Sequence, residues 1–147
     1  VVRPFFTNIR KELTKMPKIY FVDNGMRNLA LKYFAGFMDS RDKGELLENF
    51  VLSSLLKKGT ITVNYWRTKD KNEVDFICRD YYGNTTPVEV KASELKKPEI
   101  TKGLRSFIEK YNPDKAFLIN LSLEEKIKFK NTRIEFILPY SIERIFN

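Results

Sequence analysis

The chain has 147 residues, a formal net charge of +8, 42% hydrophobic residues and one cysteine. That hydrophobic share supports one packed domain rather than a disordered chain, and no apolar run approaches the roughly 18 residues needed to span a bilayer. The absence of His excludes a Ser-His-Asp triad, a His-liganded zinc site and a His general base, and a single Cys excludes a Cys-cluster metal site and an internal disulfide.

Any resident metal must therefore be held by oxygen, which points to Mg²⁺ or Mn²⁺. The lone Cys78, inside an apolar run, reads as a small core residue and fits a reducing, cytoplasmic setting. The chain opens VVRPFF, with no Met and no basic-then-apolar leader, and is expected to be a piece of a longer protein. Its charge is uneven. Residues 1–33 hold seven Lys/Arg against two acids, residues 34–95 nine against ten, and residues 96–147 eleven against seven. A near-neutral middle between basic ends is the pattern of an acidic site within a basic rim, and such a rim suits a phosphate backbone.

Residues 1–15 mix aromatic and basic side chains and read as a connector, broken at Met16-Pro17. Lys18–Val22 predicts a short strand. Asn24 then predicts a cap for a helix running to about Phe34. Lys43–Lys58 is the clearest helix, with Leu47, Val51 and Leu55 on one stripe, widened by Leu46, Phe50 and Leu56, and with Gly59 as its stop. Glu45 and Glu48 lie one turn apart on it. Glu45 suits the helix start or a solvent ion pair. Ile61–Arg67 predicts a strand, with Tyr65 and Trp66 as core residues.

Two apolar strands interrupted by charge follow: Val74–Cys78, carrying Asp75, and Val88–Val90, with Glu89 and Lys91 alternating against the valines. A turn at Tyr82-Gly83-Asn84 would make them a hairpin with Asp75 opposite or diagonal to Glu89. Tyr81 and Tyr82, at that turn, are candidates to stack on a nucleotide. An amphipathic helix is predicted from Pro98 to about Lys110. The uninterrupted run of 116–121 predicts a strand buried on both faces. Residues 123–130 read as a charged loop, Arg133–Leu138 as a strand and Ser141–Phe146 as a terminal helix. The expected architecture is α/β, a mixed central sheet flanked by helices.

Asp75 and Glu89 are the candidate ligands of a divalent ion, and the carbonyl of Val90, turned toward the site between them, is a third. Such an ion polarises phosphoryl oxygens and lowers the pKa of its bound water. Lys91 would orient the attacking water or stabilise developing negative charge, and Glu48 would act as a second-shell or second-metal group. Catalytic candidates are thus Glu48, Asp75, Glu89 and Lys91.

This set, a helical Glu, an Asp on one strand and Glu-x-Lys on the next, resembles the PD-(D/E)xK nuclease core, in the branch that includes archaeal Holliday-junction resolvases. The strings KMPKIYFVDNGMRN, GELLENFV, YWRTKDKNEVDFI and PVEVKAS are similar to a domain of unknown function found at the C-terminus of prokaryotic AAA-type ATPases, over nearly the whole chain. The resemblance implies a restriction-endonuclease-like fold over residues 36–147, preceded by a connector of residues 1–35 with a short strand and helix. It also implies DNA as substrate and an upstream ATPase domain in the same protein; no GxxxxGK[ST] loop occurs here. Two departures stand out: Val74 precedes Asp75 where the nuclease motif has Pro, and Ser54 stands where the ATPase-linked family often has a second Glu. Against the nuclease reading stand a non-catalytic DNA-binding module and an interaction module docking on the ATPase.

Overall fold

Residues 1–5 and 16–146 are described in a computed structural model, and their framework is the predicted hairpin. Strand β3 (Glu73–Arg79) turns back into β4 (Thr85–Val90) because Gly83 takes a left-handed φ of +87° and Asp80 Oδ1 accepts from the Asn84 N–H at 2.8 Å. Around it the sheet grows in the order β1-β2-β3-β4-β5-β7-β6. The remaining strands are β1 (Arg3–Pro4), β2 (Thr62–Arg67), β5 (Lys115–Ile119), β6 (Glu125–Phe129) and β7 (Thr132–Ile137). β2, β3 and β4 form an antiparallel meander, β4, β5 and β7 run parallel, and β1 lies parallel to β2 at one edge.

Helices cover both faces, as the buried run of β5 requires. Phe117 and Ile119 face helix α2 (Lys43–Lys57), where Leu47, Val51 and Leu55 join Phe76 and Val88 in one core. Ala116 and Leu118 point the opposite way and pack with Leu104 and Ile108 of helix α3 (Lys102–Tyr111). A third cluster, Phe5, Trp66, Val74, Ile77 and Phe107, fills the α3 face over β2 and β3. Burying each such side chain contributes about 1.5–3 kcal/mol. Gly103 is required here: a Cβ at that position would stand 1.7 Å from the Glu73 carbonyl oxygen, so α3 rests directly on the β3 backbone.

Several expectations change. Residues 125–129 are a strand, not a loop: EKIKF is the charged edge strand β6, pairing antiparallel with β7, and charge on an edge discourages pairing with a further chain. Lys18–Val22 is not a strand, since its only ladder contact among the described residues is the bridge between Lys18 and Val2. The short strand of the N-terminal region is instead β1. The helix α1 (Asn24–Leu31) is capped by Asp23, whose Oδ1 accepts from the Met26 N–H at 3.1 Å. Asn24 is engaged elsewhere, donating to the Leu46 carbonyl at 2.9 Å. α3 begins not at Pro98 but after Thr101, and Phe50 and Leu56 are exposed rather than core. The expected terminal helix is present as a 3₁₀ helix over Pro139–Phe146. Val2 and Phe5 are buried in the domain's cores, while the aromatic-basic stretch of residues 6–15 falls outside the described residues.

Candidate active site

β3 and β4 stop pairing after Phe76 and Val88, and Asp75 is where they part. One cause is a β-bulge. Asn64 pairs with Ile77 but Trp66 pairs with Val74, so Asp75 and Phe76 together stand against Tyr65 alone. The bulge leaves Val74 and Ile77 in the α3-side cluster while Phe76 and Cys78 face α2. The other cause is Asp75 itself: its Oδ2 accepts from the Val90 N–H at 2.8 Å, taking the place a β3 carbonyl would have filled. The carboxylate therefore lies in the gap between the two strands, open to groups from both helix layers.

Glu89 stands opposite Asp75 when the Phe76–Val88 register is continued by one residue. Its carboxyl is hydrogen-bonded by the side chain of Thr101, the N-cap of α3, whose oxygen also accepts from the Leu104 N–H at 3.1 Å. The Oε2 atom of Glu89 is buried and has no hydrogen-bond partner among the described residues. Two residues on, the Lys91 N–H donates to the Ile119 carbonyl at 2.8 Å, and the lysine's charge favours ionised Glu89. Since residue 91 turns its backbone toward β5, the Val90 peptide faces β3, N–H and carbonyl alike.

From the α2 layer comes Glu48, whose Oε2 accepts from the Tyr20 hydroxyl at 3.2 Å. The Tyr20 ring packs against Phe76, with centroids 5.8 Å apart. Lys18 bonds to Glu73, which also pairs with Arg67 Nε at 3.3 Å. Crowding governs the electrostatics. Burial, then repulsion from Asp75, pushes the Glu89 carboxyl up to about 8. Burial, then repulsion from Glu48, pushes Asp75 up to about 7, against the pull of the Val90 N–H and Lys18. Glu48 is raised by burial, opposed by Lys18 and the Tyr20 hydroxyl, and Tyr20 is raised by burial and by Glu48. Such a set holds either shared protons or a cation.

Of the candidates from the sequence, Glu48, Asp75 and Glu89 act on one another's charge around the opening between β3 and β4, and Lys91 acts on Glu89. Lys18, Tyr20, Glu73 and Thr101 join them without having been singled out. Polar groups at 18 and 20 alternating with apolar ones, and Thr three residues before Leu104, were the available signals. The acidic groups here are all oxygen donors, and one carboxylate oxygen, Glu89 Oε2, is unpartnered among the described residues. Among the described residues, no three His, Cys, Asp or Glu side chains gather to hold an ion by themselves. Two carboxylates, with water and substrate oxygens completing the shell, is the usual Mg²⁺ arrangement. Tyr81 and Tyr82 lie exposed at the far end of the hairpin, away from these groups. No helix among the described residues is long and apolar enough to cross a membrane.

Residues 43–142 match the family described as "Domain of unknown function (DUF4143)". No curated protein matches the sequence. Among solved structures, the fold is similar to a chain in the refined half-complex from the tetradecameric assembly of Thermococcus gammatolerans McrB AAA+ hexamers with bound McrC, with a TM-score of 0.53 and 12% identity. The match covers 71% of this chain and 32% of that one, and at such identity the likeness is one of fold.

Proposed function

The chain belongs to the family of the domain of unknown function DUF4143, and from its site we propose that it is a Mg²⁺- or Mn²⁺-dependent DNA endonuclease domain that works with an AAA-type ATPase. The observation that carries this reading is the buried Oε2 of Glu89, without a hydrogen-bond partner among the described residues, on a carboxyl that the neighbouring Asp75 repels. A buried carboxylate oxygen without a partner is costly, and a divalent cation relieves both that cost and the repulsion between the two carboxyls. Asp75 and Glu89 would hold it, with the Val90 carbonyl as a third oxygen. When bound, such an ion polarises phosphoryl oxygens and acidifies its water.

The chain's own residues supply the rest. Lys91, beside Glu89, orients the water or balances charge that develops on the phosphate. Glu48, fixed by Tyr20, is placed to take up a proton next to Asp75. The basic terminal thirds of the sequence suit the DNA backbone. Support for an ATPase partner, encoded upstream in the same protein, comes from the resemblance in the sequence and from a fold shared with a chain of an AAA+ assembly.

The test is cleavage of branched and single-stranded DNA in Mn²⁺ and in chelator. Cleavage should require the metal and disappear in Glu89→Ala and Asp75→Asn with the fold retained. DNA binding that is salt-dependent, indifferent to both substitutions and never accompanied by cleavage, even with the ATPase present, would identify a non-catalytic module instead.

A further inference from the structure

Two residues that precede the matched region reach into the carboxylate cleft. The segment of residues 16–22 lies over β2 and α2: the Tyr65 hydroxyl donates to the Met16 carbonyl at 2.8 Å and Ser53 Oγ to the Val22 carbonyl at 3.1 Å. Along it the side chains alternate. Ile19 and Phe21 are exposed, while Lys18 and Tyr20 are half-buried and turn toward Glu73 and Glu48. The Lys18 ammonium sits 5.3 Å from the centroid of the Tyr65 ring and acts electrostatically on both Glu48 and Asp75. Lys18 bonds one oxygen of Glu73 and Arg67 pairs with the other.

We propose that Lys18 is a built-in counter-ion of the cleft that opposes divalent-metal binding at Asp75 until a phosphate arrives, so that the functional site begins before the family region. This inference rests on the reading of Asp75 and Glu89 as the metal-holding pair. Two lysine charges act on the cleft: Lys91 on Glu89, and Lys18, bonded to Glu73, on Glu48 and Asp75. A dication placed on Asp75 faces the Lys18 charge across a half-buried gap, where like charges repel more strongly than in water. An incoming phosphodiester supplies the negative charge that offsets this repulsion. Metal uptake is thereby coupled to substrate. Lys18 acts through the carboxylates and is a positioning residue; Tyr20, holding Glu48, is its companion on the same inner face.

The experiment is a calorimetric Mn²⁺ titration of the whole domain without DNA, comparing wild type, Lys18→Met, Lys18→Gln, Lys18→Arg and Glu89→Ala. Both neutral variants should bind Mn²⁺ about tenfold more tightly than wild type, and Lys18→Arg should behave as wild type. A lysine that merely packs on Tyr65 would give unchanged or weaker binding on removal. Two neutral substitutions of different shape keep the test readable if one of them unfolds. Binding by a folded Lys18→Met where wild type shows none also supports the proposal. Equal affinity in wild type and both neutral variants, with Glu89→Ala silent, overturns the role of Lys18 and leaves the nuclease reading standing. No binding by any variant overturns both.

Discussion

Replacing Glu89 by Gln isolates the cost of the crowded carboxyls. The substitution keeps the shape and a partner for Thr101 but removes the charge. In the unfolded chain Glu89 loses its proton near its ordinary value of 4.5, whereas in the folded chain it keeps it up to about 8. Below the lower value both states are protonated and the site costs nothing. Between the two, the native state binds the extra proton, so stability falls as pH rises, and the loss is complete above about 8. At about 1.4 kcal/mol per pH unit the full interval sets a ceiling of about 5 kcal/mol. Asp75 is raised by the same mutual repulsion, so Glu89 carries only part of it, about 2 kcal/mol by an even division. Urea unfolding in chelator should show Glu89→Gln more stable than wild type by about that amount at a pH of about 8.5, with the two equal at a pH of about 3.5. Mn²⁺ should then stabilise wild type and not the variant. A Gln variant equal to or weaker than wild type at the higher pH would refute the crowding.

Other substitutions probe the parts that hold the site. Gly103→Ala drives a methyl into the Glu73 carbonyl and should destabilise by about 3 kcal/mol or more in the same urea assay, since backbone on both sides leaves no room to yield. Thr101→Val removes the α3 cap and the Glu89 partner together and should cost about 1–2 kcal/mol. Tyr20→Phe frees Glu48 while keeping the ring on Phe76. It should lower kcat for DNA cleavage and leave KM and folding stability nearly unchanged, as steady-state kinetics and thermal unfolding would report.

What the sequence made legible was local. Periodicity located α2 and the buried run of β5, and Tyr82-Gly83-Asn84 located the turn whose register brings Asp75 and Glu89 together. What escaped depends on partners distant in the chain. Glu125–Phe129 reads as a loop by composition because an edge strand has only β7 to satisfy and may carry charge outward. Lys18–Val22 reads as a strand by composition, yet among the described residues its only strand-type pairing is the bridge of Lys18 with Val2. The bulge at Asp75 is set by how Trp66 pairs with Val74, a fact about two strands that neither carries alone. Lys18 and Tyr20 reach Glu73 and Glu48 over 55 and 28 residues, and no spacing rule spans such intervals.

The rung that Asp75 supplies to Val90 separates what two acidic residues can tell a reader of related sequences. A descendant that had abandoned chemistry would still need an acceptor at position 75 to hold the ends of two central strands together, and Asn would serve as well as Asp. Position 75 therefore drifts slowly whatever the protein does. Glu89 has no such second duty for its Oε2, and the burial of its carboxyl weakens the fold on which it sits. Selection for stability alone would discard it. Glu89, rather than Asp75, is the residue whose persistence in a relative marks a working site.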